Sequence, residues 1–179
     1  KIINVLSIFL VYLIAIPFGV YSATHPDTLS DRTLTLLFFF LYSLPNFWVA
    51  VLLIMLFGGG DFWDVFPVYG ISSINAESWP LWRQILDRLW HLALPVTCLT
   101  YGGFAYLSRL TRAELLEVIR EDYVRTARAK GLSERVVIFK HAFRNALLPI
   151  VTLLAFLLPA MFGGSVIIES IFSIPGMGQ

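Results

Sequence analysis

The chain has 179 residues, 58% of them hydrophobic and 14% charged, with a mean hydropathy of +0.76 and a formal net charge of +1. Soluble domains carry roughly 45–50% apolar and about 25% charged residues, so this balance excludes an ordinary water-soluble globule and points into a membrane. The lone cysteine, Cys98, excludes an intrachain disulfide and, inside an apolar run, reads as a small buried hydrophobe.

The sequence starts in an apolar run without an initiator Met and shows no secretory n-region or cleavage site. It is therefore expected to be a piece of a longer chain, with spans missing at one or both ends. Uncharged runs mark the spans, since a membrane helix needs about 20 mostly apolar residues. The first covers about 2–24, with Pro17 and Gly19 near its far end. A polar hinge follows, His25 to Arg32, where Asp27 or Ser30 is expected to cap the next helix. The second span covers about 33–58 and is broken midway by Pro45, which removes one backbone bond. Pro45 is either a plain kink set by packing or a kink that shapes a substrate pathway.

An outer loop covers about 59–88, with Trp63, Trp79 and Trp82 suited to a membrane–water boundary. Within it and just beyond, Glu77 to Leu89 is expected to form a helix along the surface. The third span, about 89–110, holds His91, Pro95, Thr97, Thr100 and Gly102-Gly103, as suits a partly polar helix facing protein. His91 reads as an interfacial or hydrogen-bonded histidine, because no second His, Cys or carboxylate stands at ligand spacing beside it. The fourth span covers about 146–169. Glu169 at its end is either an interfacial helix end or a gate on the outer face. A turn-rich tail, Ser173 to Gly178, follows.

Between the third and fourth spans, about 111–145, lies a charged loop. From Arg109 to Arg144 the sequence carries nine of the thirteen Lys and Arg and five acids. The outer loop has only Arg83 and Arg88, so the positive-inside rule places the charged loop in the cytoplasm. Leu115, Leu116, Ile119, Tyr123 and Ala127 fall at helical spacing, and Glu121 stands four residues before Arg125, the favourable order for a pair. Gly131 then interrupts as a left-handed C-terminal glycine would. Ser133 is placed to start a second helix, with Glu134 in its first turn and an apolar stripe at Val136, Phe139, Phe143 and Leu147. A net charge of about +4 without a stacking platform argues against nucleic acid. A basic loop near anionic lipid and a helix presented to a partner's groove both remain open.

The stretch RTARAKGLSERVVIFKHAFRNALLPIV resembles the cytoplasmic coupling motif of permeases of ATP-binding-cassette importers, and more narrowly the oligopeptide/dipeptide permease family. The general motif has Glu-Ala-Ala, a glycine four positions on and a later Leu-Pro. Here the triplet position is Arg125-Thr126-Ala127, followed by Gly131 and, further on, Leu148-Pro149. Both departures, the altered triplet and the late Leu-Pro, match the peptide branch. Gly163 to Gly178, Ala15 to Gly19 and Ser43 to Phe47 are similar to other segments of the family.

The resemblance implies an all-α polytopic permease in a bacterial or archaeal plasma (inner) membrane, working with separate ABC ATPase subunits. It also implies a second, homologous permease subunit in a heterodimer, and an extracytoplasmic binding protein that delivers oligopeptides or dipeptides. Arg125, Thr126, Ala127, Arg128, Lys130, Gly131 and Leu132 are the expected ATPase contacts. The small residues would allow close approach, and the cations would pair with acids on the partner's rim. Pro45, Gly163, Gly164, Ser165, Glu169, Pro175 and Gly176 are the pathway or gate candidates. The chain is expected to be non-catalytic and to bind no cofactor, since it has no GxxxxGK[ST] and ATP with Mg belongs to the partner. Nickel, glutathione and other peptide-like solutes are alternative cargoes of the same branch. A secondary transporter or membrane scaffold is the competing class, but the spans lack the intramembrane charges that ion-coupled transport needs.

Overall fold

The structure, a computed structural model, describes residues 2–59, 62–163 and 166–176. Among these residues it is helical, with one isolated bridge between Gly58 and Asp64. The helices are α1 (Ile2–Thr24), α2 (Leu29–Ser43), α3 (Asn46–Phe57), α4 (Leu81–Ile119) and α5 (Asp122–Ala129). A short turn α6 (Glu134–Val136) leads through a π-helical segment, Val137–Ala142, into α7 (Phe143–Gly163), and α8 covers Val166–Ile171. Two helices are long and apolar enough to cross a membrane, Ile2–Thr24 and the run Glu134–Leu157. A third span results where the broken pair α2 and α3 is counted as one.

The chain divides into two compact units, residues 1–10, 43–102 and 159–179 in one, and 11–42 with 103–158 in the other. In the first unit the core gathers Ala50 of α3, Leu92, Val96 and Cys98 of α4, and Ile168, Phe172 and Ile174 at the end of the chain. Cys98 is fully buried and free, as its apolar setting suggests. The outer loop is fastened to α4 from three sides. Ser73 donates its N–H and its hydroxyl to the two oxygens of Asp87, at 2.8 and 2.6 Å. Trp90 donates its indole N–H to the Val65 carbonyl, and Phe66 packs on the Trp90 ring. Burial pushes the Asp87 carboxyl up, but Ser73, His91 and Arg83 together hold it below the usual carboxylate range. His91 is buried, with Nδ1 2.9 Å from the Asp87 carbonyl one turn back.

Pro45 does more than kink a span. It lies in extended backbone at φ −65° and ψ 135° and separates α2 from α3 as two helices. Proline pushes the residue before it away from helical geometry, so a break at Leu44 is the expected response. The hydroxyl of Tyr101 donates to the carbonyl of Leu44, left free at the break, at 2.7 Å, and lies equally close to the Asn46 side-chain oxygen. With 12 residues, α3 is about 18 Å long, short of the roughly 30 Å apolar thickness of a bilayer.

Three more sequence expectations shift at helix boundaries. No separate surface helix covers Glu77 to Leu89; a 3-10 turn at Ala76–Ser78 precedes α4, which begins at Leu81. The end expected near residue 110 is also absent, and α4 runs on to Ile119 over 39 residues. Its middle is less apolar than α1 because its residues face protein: Leu94, Val96, Cys98, Thr100, Ala105 and Leu107 are buried. At the start of α2, the hydroxyl of Thr28 accepts the Asp31 N–H, so the cap is Thr28 and not Asp27 or Ser30.

Candidate coupling site

The charged loop lies wholly in the second unit, where it is built on a core of small residues. Val20 and Ala23 of α1, Leu115 of α4, Val124 and Ala127 of α5, and Val137, Ala142 and Ala146 beyond the turn form this cluster. The end of α4 and the short α5 replace the single helix expected from Arg112 to Lys130, because the chain turns at Arg120 and Glu121. Glu121 sits outside α5 as its N-terminal cap residue in extended backbone, where its carbonyl, not its carboxylate, meets Arg125. The carboxylate that pairs with Arg125 is that of Asp122, 3.5 Å away and almost fully exposed.

Gly131 has φ +77°, and its N–H donates to the Arg128 carbonyl at 2.9 Å. That is the left-handed C-terminal glycine that the sequence suggests. Open space surrounds the position where its Cβ would stand. Leu132 follows with 40% of its surface exposed. Ser133 starts the next turn in extended backbone, but its hydroxyl caps nothing; only its carbonyl receives the Val137 N–H. Across the turn, Arg128 donates from Nε and Nη2 to the two oxygens of Glu134, at 3.1 and 2.7 Å. This fork closes the ends of α5 and α6 around Gly131.

The expected contact residues thus separate into two groups. Gly131, Leu132, Lys130, Thr126 and Arg125 face outward. Thr126 has its hydroxyl on the Asp122 carbonyl, which leaves its methyl group as the outward feature. Ala127, in contrast, points into the cluster with 5% exposure, so its small size serves internal packing. Arg128 is engaged within the chain by Glu134. Helical spacing alone sets Ala127 on the apolar stripe, whereas nothing local marks Arg128 as the partner of Glu134.

The apolar stripe also changes face. A π turn holds one more residue than an α turn, so side chains five apart come into line there. Val137 and Ala142 are both buried, and the buried line continues at Ala146 and Ile150. Val136 and Phe139, which an uninterrupted α-helix would have put inside, are exposed.

One buried contact was missed altogether. Asp31, in α2, is buried and accepts both Nε and Nη2 of Arg112 in α4, at 3.0 and 2.8 Å. The Ser22 hydroxyl of α1 and the Asp27 N–H complete its surroundings. The available signal was a lone acid at the edge of an apolar run, and the sequence offers no distance to an arginine 81 residues away.

The pathway candidates lie elsewhere, in the first unit. Pro45 forms the α2–α3 break, and Gly163 is the last residue of α7. Pro175 and Gly176 are exposed. Glu169 is buried on α8, and one of its carboxylate oxygens has no hydrogen-bond partner among the described residues. A Cβ at Gly176 would overlap that carboxylate, so a larger residue there would make the Glu169 side chain shift. Gly164 and Ser165 lie outside the described residues.

The model of the family described as "Binding-protein-dependent transport system inner membrane component" matches residues 15–179. The chain belongs to that family. Within it, the chain is 43% identical over 173 residues to the oligopeptide transport system permease protein AppB of Bacillus subtilis (strain 168), covering 97% of this chain and 52% of that protein. It is 40% identical over 173 residues to the inner membrane ABC transporter permease protein YejB of Escherichia coli O157:H7, with 96% and 48% covered. The di/tripeptide transport system permease protein DppB of Pseudomonas aeruginosa (strain UCBPP-PA14) is 39% identical over 172 residues, with 90% and 51% covered. The chain therefore spans about half the length of the curated relatives it matches. Like them, this member of the family is an all-α, multi-pass membrane protein.

Proposed function

We propose that the chain belongs to the permease subunit of an ATP-driven importer that takes up oligopeptides or dipeptides delivered by an extracytoplasmic binding protein. A separate ATPase would dock on the turn around Gly131, and a second, homologous permease subunit would complete the pathway. The observation that carries this reading is the turn itself. A left-handed glycine with open space on its Cβ side stands beside an exposed leucine, on a support of packed small residues and a two-bond ion pair. Such a knob is exposed yet fixed, which suits an element whose position an ATPase cycle must bias.

Glu169, Pro45 and Gly176 belong to the same proposal as pathway or gate residues. The support for Glu169 is its buried, unpartnered oxygen, which a cation from substrate or from the other permease subunit would satisfy. Peptides are the cargo favoured by the names of the relatives at 39–43% identity.

The test is Gly131→Asp against Gly131→Asn in the full-length permease, reconstituted with its ATPase and binding protein. Both side chains tolerate left-handed backbone, so the comparison isolates the charge introduced at the docking surface. Asp is expected to abolish uptake of labelled peptide while membrane insertion persists, and Asn to retain most of it. Normal uptake by Gly131→Asp would refute the docking assignment.

A further inference from the structure

The Asp31 carboxylate, on α2, gathers four donors from two other helices and a loop. Two come from the Arg112 guanidinium of α4, one from the Ser22 hydroxyl of α1, and one from the Asp27 N–H before α2. A carboxylate with 3% exposure must be paired and bonded in this way, because an isolated buried charge is too costly to keep. The fork geometry adds direction: two parallel bonds fix the plane of the guanidinium against the plane of the carboxylate.

The pair also has a particular place along α4. One turn after Arg112 comes Leu115, which is fully buried in the cluster that holds Ala127, Val137 and Ala142 beneath the Gly131 turn. One turn before it is Ser108, and there α1 lies against α4 so closely that a Cβ on Gly19 would overlap Thr111 and the Ser108 carbonyl. A displacement of the turn therefore reaches the end of α4 through packed side chains, and Arg112 stands one turn beyond Leu115 with an ion pair to another helix. From there α4 is tied to α2 by the Asp31 fork and, one turn back, by the Arg109 guanidinium lying 4.2 Å over the Phe39 ring; of the two, only the fork fixes direction by paired hydrogen bonds.

We propose that Asp31 and Arg112 are positioning residues for transport, a joint that passes movement of the coupling turn from α4 to the ends of α1 and α2. This rests on the docking role proposed for Gly131. In its absence the turn would still bind the ATPase, and ATP would still be hydrolysed, but the spans would follow the cycle less faithfully.

The experiment uses the full-length permease reconstituted with its ATPase and binding protein. Asp31→Leu combined with Arg112→Met removes both charges, which protein interiors tolerate far better than the loss of one. The amount of assembled complex, basal ATP hydrolysis and peptide taken up per ATP hydrolysed are measured together. Assembly and basal hydrolysis are expected to match the unmodified complex, with uptake per ATP reduced about tenfold, within the usual range of coupling between sites. A purely structural pair would instead lower assembly and leave the ratio unchanged, and a normal ratio in the double variant overturns the proposal. Should the double variant fail to assemble, the same ratio is read on Arg112→Lys, which keeps the charge without the fork; a normal ratio there is equally fatal. Gly131→Asp is run in parallel. If it transports normally, the docking reading has failed; if it uncouples while the double variant does not, only the joint has failed.

Discussion

Two ion pairs in the same unit use the same chemistry, an arginine fork on a carboxylate with one bond from Nε and one from Nη2. Their surroundings are opposite. The Asp31 side chain is 4% exposed and that of its Arg112 partner 30%, whereas Arg128 and Glu134 stand at 37% and 61%. Water competes freely for the second pair and hardly at all for the first. Equal distances therefore conceal unequal roles: the Asp31 pair ties helices together, and the Arg128 pair shapes the outline of a surface turn.

The sharpest way to break that contrast is to remove one partner from each. Arg112→Ala leaves a carboxylate buried and unpaired and is expected to lower stability by about 3–5 kcal/mol, whereas Glu134→Ala should cost no more than about 1 kcal/mol. Thermal unfolding of the purified protein in detergent measures both. Similar losses for the two variants would show that burial does not separate them.

A smaller effect is expected from Ala127→Leu, about 1–3 kcal/mol by overfilling the small-residue core. The same change at exposed Ala129 should leave the unfolding midpoint in place. An equal response at both positions would mean that Ala127 is not packed as described. Gly131→Ala is expected to cost about 1–2 kcal/mol from the left-handed backbone alone, since nothing lies where the methyl group would stand. A larger loss would indicate a neighbour crowding the turn.

These contrasts also show which parts of the molecule were legible in its sequence. Apolar runs gave the helical, membrane-embedded class, because hydropathy needs no knowledge of contacts. Gly131 was legible because a left-handed residue after a helix is a local requirement that glycine meets. The engagement of Arg128 by Glu134 was not, since the two residues meet only through the geometry of the Gly131 turn. Nor was the continuation of α4 to Ile119, because the end of an apolar run marks where a helix leaves lipid and not where its hydrogen bonds stop. Asp31 and Arg112 were opaque for the opposite reason. Each has an ordinary local setting, and only the fold brings them together.

The π-helical segment also governs how this charged loop can change length. Each residue added to or removed from a helix turns everything beyond it by about 100°. The widened turn at Val137–Ala142 sets the phase between Gly131 and the buried line Ala142, Ala146 and Ile150. Losing a single residue inside it would return the segment to a regular α-helix with its two ends still in line, whereas a loss on either side of it would swing the turn onto another face. A loop exchanged between two permeases must therefore match in residue count from Gly131 to Ala146, save for one residue that the widened turn can hold or give up.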